Sequence, residues 1–314
     1  MIIIIKHKHF KLIMSRYLKL TKFMEDNKDM INWGALSYNK NATPLLEKNL
    51  NMIDWHWLST NPNAIGILEK NFDKINWMLL SSNRNAIDLL EKNLNMIDWR
   101  LLSRNPNALG ILEKNIDKID WRLLSTNPNA IALLERNLDK IDLNGLSANP
   151  NAVGILEKNP DKIVWYRLSE NPNAIALLEA NVRKIDFGLL SSNPNAIALL
   201  EQNLDKINWY ELSQNPNAMG ILEKNLDKIN WIYLSGNPNA MELLEANHDK
   251  IDWGGLSTNP SIFEYDYDAM KDHLYDSGIC EELMANRFHP SNHTKWRDWG
   301  FEDMLPDSIA SNRV

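Results

Sequence analysis

Three sets of side chains in this sequence are of types that do chemistry. Toward the C-terminal end, Cys280, His289 and His293, with His273 upstream, carry the donor atoms of a zinc site. Structural zinc sites present paired ligands in tight spacing. One cysteine and wide gaps fit better an amphipathic capping helix around residues 279–284 with exposed histidines, so no metal is expected. The second set is a glutamate that returns every 22 residues from Glu25 to Glu245. Eleven copies of one acid do not make a single active site, and the expected role is surface or turn bonding. No P-loop, nucleophile elbow, HExxH or dinucleotide fingerprint is present, so the chain reads as a non-enzyme without a cofactor.

The third set is a row of residues that change while everything around them stays fixed. Taking Asn61 as position 1 of a 22-residue unit, position 18 reads Gly34, His56, Met78, Arg100, Arg122, Asn144, Tyr166, Gly188, Tyr210, Ile232 and Gly254. Position 22 includes Tyr38, Arg104, Glu170 and Gln214, and position 19 adds Trp57, Arg167, Glu211 and Tyr233 among leucines. Positions 18 and 22 share one helical face, and Tyr and Arg are enriched at binding hot spots. Arg100, Arg104, Arg122, Tyr166, Arg167, Tyr210 and Tyr233 are therefore the expected centre of a partner-binding surface. The competing reading is a solvated face free to drift.

What positions these residues is the period itself. The phrase NPNAIALLExNLDKIDWRLLSS recurs without insertion, and eleven units fill residues 17–258. Position 20 is Leu, 15 Ile, 9 Glu, 11 Asn and 21 Ser in every unit. Position 17 is Trp in nine units, with Leu143 and Phe187 in the other two. An unslipped period means that every unit makes the same contacts with its neighbours.

Each unit reads as two short helices. Asn61 stands where an N-cap belongs, Pro62 at the first helical position, and Ala64, Ile65 and Leu68 form the buried stripe of a helix about nine residues long. Asn71 closes it in the left-handed region. The second piece starts at either of two candidate caps, Asp117 or Asp120; Asp120 is preferred, giving a one-turn helix of α or 3₁₀ type. Such pieces cannot bury their apolar faces alone, so stacking must hold them. The expected fold is an all-α solenoid, a right- or left-handed superhelix of eleven two-helix repeats with terminal caps. At about 8–10 Å per packed helix its contour is roughly 90–110 Å. The spine expected to carry it is Trp55, Trp77, Trp99, Trp121, Trp165, Trp209, Trp231 and Trp253 with the invariant leucines and isoleucines. Invariant Asn and Ser are expected to bond backbone groups at the turns, as ladders.

The unit SxNPNAxxLLExNxDKIDWxxL resembles the leucine-rich variant repeats, in which an α-helix alternates with a tighter helical turn. It is similar also to the Asn- and Ile-rich repeat proteins of large DNA viruses, where such an array precedes a tail like NPSIFEYDYDAMK. The resemblance implies a helical repeat fold and a viral origin, and implies no activity.

Residues 1–16 are expected to form an N-terminal cap or basic segment, residues 17–258 the array, and residues 259–314 a helical C-terminal capping region. The first 24 residues carry Lys6, Lys8, Lys11, Arg16, Lys19 and Lys22, read as a solvated cap or as a contact for an acidic partner or membrane surface. One cysteine in 314 residues fits a reducing, intracellular compartment. The lysines after MIIII make a poor secretory signal, and no apolar run is long enough to span a membrane. A net charge of −7 argues against nucleic acid as the partner. The function expected is a protein-interaction scaffold in the cytoplasm, that of an infected host cell where the viral likeness holds, or in a virion. The alternatives are a structural component of a virion or other assembly, and an RNA reader taking one base per unit. The Trp-less unit around Leu143, followed by Pro160 and the uncapped Val164, is expected to be a softer joint over residues 143–165.

Overall fold

The structure, a computed structural model, describes residues 17–276. The segment 1–16, Cys280, His289, His293 and the helix expected at 279–284 lie outside the described residues. The chain divides after Glu264 into two compact units. Of the second, the helix Tyr267–Asp276 is described. The repeats make up the first.

Ten of the eleven repeats have three helical pieces where two were expected. In the third repeat the first helix is Ile65–Lys70, shorter than nine residues because the Asn-Pro-Asn segment is a hydrogen-bonded turn of its own. Asn61 Oδ1 accepts from Asn63 N at 3.0 Å and Asn61 O from Ala64 N at 3.2 Å. A 3₁₀ turn, Phe72–Lys74, follows. Asn71 between them is not left-handed: φ is −132°, and its side chain ends the helix by donating to Ile67 O at 2.8 Å. The second helix is capped at position 16, where Asp120 Oδ1 accepts from Leu123 N at 2.9 Å and opens the α-helix Trp121–Leu124. The alternative cap, Asp117, sits inside the 3₁₀ turn Ile116–Lys118.

Stacking follows one register. The asparagine opening each turn is buried and donates to two carbonyls of the preceding turn: Asn127 Nδ2 reaches Ser103 O at 3.1 Å and Asn105 O at 2.9 Å. The serine at position 21 bridges as well. Ser125 Oγ donates to Trp121 O at 2.7 Å and accepts from Asp142 N of the next repeat at 3.0 Å. Asparagine and serine thus form ladders that satisfy backbone groups between layers, which buried polar groups require. The apolar core is built from the Ala at position 4 and the Leu at positions 8 and 20, such as Ala130, Leu134 and Leu124, all fully buried, with the isoleucines beside them. The tryptophans flank this core and are only half-buried. Over most of their rings lies the lysine of the next repeat, Lys140 Nζ at 4.8 Å from the Trp121 centroid and Lys184 Nζ at 4.3 Å from that of Trp165. The spine is leucine and alanine; the tryptophans are its flank, shielded by lysine stems and held by cation–π attraction.

The array does not end in an open arc. Its last repeat packs on its first in the same register as every other pair. Asn39 Nδ2 donates to Ser257 O at 3.1 Å and Asn259 O at 2.8 Å, Asn32 N to Ser257 Oγ at 2.9 Å, and Asn41 Nδ2 to Pro260 O at 2.9 Å. The helices Trp33–Tyr38 and Trp253–Thr258 lie side by side. Phe23 stacks on Trp253 with ring centroids 6.2 Å apart and an interplanar angle of 10°. The repeats therefore form a closed ring, each turning the chain by about 33°.

Closure is achieved by a repeat assembled from both ends of the array. The Asn-Pro-Ser-Ile turn, Asn259–Ile262, supplies the opening turn that the first repeat lacks, with Ile262 fully buried. The helix that follows in space, Lys22–Asp26, comes from the other end and is capped by Thr21, whose N–H donates to Ile262 O at 2.9 Å. β1 (Leu18–Leu20) pairs with β2 (Phe263–Tyr265) beside this joint. Residues 259–262 thus belong to the ring, and the apolar face of the last repeat is covered by the first, where a terminal cap was expected.

Among the described residues, no helix is long and apolar enough to cross a membrane.

Candidate functional site

The second helices approach their neighbours more closely than the first helices do, which places them on the inner side of the ring. Their variable positions follow. One cavity of about 430 Å³ is lined by Tyr38, Lys40, Thr60, Pro62, Ser82, Asn83, Arg84, Pro106, Thr258 and Pro260. These come from five successive turns, and side chains so spread converge on one space only from a concave wall. A second cavity, of about 610 Å³, is bounded by Gly34, Ala35, Tyr38, Trp57, Gly254 and Thr258, with the caps Asn32 and Asp54 at its edge. Positions 18, 19, 22 and 2 therefore face the lumen. At the tight end of helix spacing, about 8 Å, eleven helices make a circle about 28 Å across, and helix thickness leaves an opening of about 17 Å.

The structure puts all seven expected residues on this face and separates them into two arcs. Arg100, Arg104 and Arg122, on the fourth and fifth repeats, are exposed and make no ion pair among the described residues. Tyr166, Arg167, Tyr210 and Tyr233 stand on the seventh to tenth repeats and are tied to their surroundings. Tyr166 OH donates to Asn144 Oδ1 of the preceding repeat at 2.7 Å. Tyr210 and Tyr233 meet edge to face at 5.9 Å. Arg167 Nη1 bonds Glu170 Oε1 at 2.8 Å, and both are half-buried. Burial raises the Glu170 carboxyl above its ordinary range; Arg167 opposes the shift and Glu211 adds to it.

Sequence reasoning missed Lys40 and Arg84. Both hold the second position of a turn where the other nine turns of the ring carry proline. That departure from the period was the available signal. The caps put a different charge on the neighbouring band. Position 18 of one repeat faces position 16 of the next, as where Asn76 Nδ2 donates to His56 Nδ1 at 3.0 Å. Asp54, Asp98, Asp120 and Asp142 occupy that band. Also unforeseen is an apolar belt at position 12, made of Leu50, Phe72, Leu94, Ile116, Leu138, Val182, Leu204 and Leu226. Each is between 43% and 52% exposed, and all but Leu138 lie outside every cavity described.

The tight fit of the lumen wall is visible at Gly145. A Cβ there would stand 3.0 Å from Arg122 O and from Ser125 Cβ, so glycine permits the approach of the two helices. In that repeat no tryptophan is present, the 3₁₀ turn is replaced by an irregular turn, and Leu143, Ile141 and Leu138 line a small void of about 20 Å³. Val164 occupies the cap position of the next repeat without a side-chain bond.

No group of three or more His, Cys, Asp or Glu among the described residues is arranged to hold a metal. No protein-family model, curated protein or solved structure matches the chain.

Proposed function

We propose that this protein is a non-enzymatic interaction ring, a scaffold that holds an extended segment of a protein partner against its inner wall. The observation that carries the proposal is the division of labour along each repeat. Invariant Asn and Ser side chains are used up by backbone groups, while the variable Arg and Tyr positions face a common lumen. An opening of about 17 Å admits an extended peptide. An intracellular location, in the cytoplasm of an infected host cell or in a virion, belongs to this reading and rests on the single cysteine and the repeat pattern. The test is selection of peptides from an unbiased display library, followed by alanine at Arg100, Arg104, Arg122, Tyr166, Arg167, Tyr210 and Tyr233 together. Loss of binding is expected; affinity unchanged by all seven substitutions refutes the reading.

The apolar belt favours a second reading, a structural component of a virion or other assembly whose rings pack through that belt. Contiguous apolar patches mark interaction sites. Sedimentation at increasing protein concentration separates the two, since only the second reading expects self-association lost on Leu94→Glu with Ile116→Glu.

A further inference from the structure

We infer that the band of the lumen formed by positions 22 and 2 binds an acidic peptide segment through Lys40, Arg84 and Arg104; this rests on the interaction-ring reading. All three side chains are exposed, and none makes an ion pair among the described residues. They differ in this from the lysines that lie over tryptophans and from Arg167, which bonds Glu170. No carboxylate lines the 430 Å³ cavity that Lys40 and Arg84 bound. Arg104 occupies the position homologous to Tyr38, Thr60 and Ser82 of that wall, two residues before Pro106. Concave walls of one charge focus the field and draw in counter-charge, and arginine forks match carboxylates in two-point contacts.

The remaining lining selects the kind of anion. Pro62, Pro106, Pro260 and the Tyr38 ring are apolar surface, while the Thr60 and Ser82 hydroxyl protons are committed to Trp57 O and Leu79 O at 2.7 Å each. A peptide alternating carboxylates with apolar side chains matches three cations set among prolines. A single-stranded nucleic acid brings a phosphate at every nucleotide. Three cations neutralise few of these.

The experiment uses the full chain and a fluorescein-labelled ten-residue peptide alternating aspartate with leucine or phenylalanine, read by anisotropy. Saturable binding is expected, weakening by about tenfold as salt rises through the range where screening shortens to a few ångströms. Lys40→Gln, Arg84→Gln and Arg104→Gln together are expected to weaken it at least about tenfold, with circular dichroism unchanged. The matched outer control, Lys70→Gln with Lys114→Gln, leaves it unaltered. Absence of saturable binding, indifference to the triple substitution, or tighter binding of a ten-nucleotide oligouridylate overturns the inference. Neutral peptides selected from the display library that depend on the seven Arg and Tyr residues would sink this inference and leave the interaction-ring reading standing.

Discussion

Asn39→Ala tests whether the ring is closed, because the cost of that substitution depends on what lies across the joint. Asn127, deep in the array, donates to Ser103 O at 3.1 Å and Asn105 O at 2.9 Å and accepts from Asn129 N at 3.0 Å. Truncation removes three hydrogen bonds, leaving Ser103 O and Asn129 N unpaired and Asn105 O with its bond from Ala108 N alone. At about 1–1.5 kcal/mol for each unpaired group and somewhat less for the carbonyl that keeps one bond, Asn127→Ala costs about 2–4 kcal/mol. Asn39 makes the same three bonds, to Ser257 O at 3.1 Å, to Asn259 O at 2.8 Å and from Asn41 N at 3.0 Å. Two of the three cross the joint. In an open arc only the local bond exists, and Asn39→Ala costs about 1 kcal/mol. In the ring it matches Asn127→Ala. Equilibrium urea melts followed by tryptophan fluorescence measure both, with the slope checked for equal cooperativity. An Asn39→Ala protein that melts like the parent, beside a strongly destabilised Asn127→Ala protein, refutes closure.

Four further outcomes follow from the packing. Leu124→Ala, at a fully buried site, is expected to cost about 3–5 kcal/mol, and Trp121→Ala only about 2–3 kcal/mol because its ring is half-exposed under Lys140; thermal melts that reverse this order contradict the assignment of the spine to leucine. Leu143→Trp is expected to stabilise by filling the void beside Ile155, and a lowered melting temperature would show that the repeat cannot accept the indole. Amide exchange is expected to be faster at residues 136–146 than at the equivalent residues of the flanking repeats; equal protection would contradict a softer joint there. The raised Glu170 carboxyl binds its proton more readily folded than unfolded, so the parent loses stability as pH rises from the unfolded to the folded value. Glu170→Gln should therefore gain on the parent as pH rises through the carboxylate range, and a gap that widens on acidification instead would reverse the sign argued here.

The period makes much of this architecture legible in the sequence itself. Position 20 leucines are the core, position 16 residues are the caps, and invariant Asn and Ser form ladders, each readable because a repeated residue must meet a repeated need. The tryptophans misled because residue type reports apolar area, whereas their exposure depends on how far one repeat is rotated on the next. Curvature escaped for the same reason. It arises from a small difference in spacing between inner and outer helices to which every residue contributes a little. Closure left one trace: Tyr17–Leu20 departs from the turn pattern at one end, and Asn259-Pro260-Ser261-Ile262 repeats it once more at the other. Read separately they look like frayed ends, and only together do they make one turn. The lumen's seven residues were legible as variable positions on one helix face, but their division into a basic and a tyrosine-rich arc depends on the ring.

The joint between Asn259 and the Thr21 helix also sets a rule of access. A hoop has no side door: a strand with bulky ends can be encircled only if the hoop was assembled around it or parts where the two ends of the array meet, whereas a slim free end slips in without disturbance. Either half of the composite turn, Asn259–Ile262 or Thr21–Asp26, is needed to hold the joint, so a proteolytic cut that detaches one of them would release whatever the hoop surrounds.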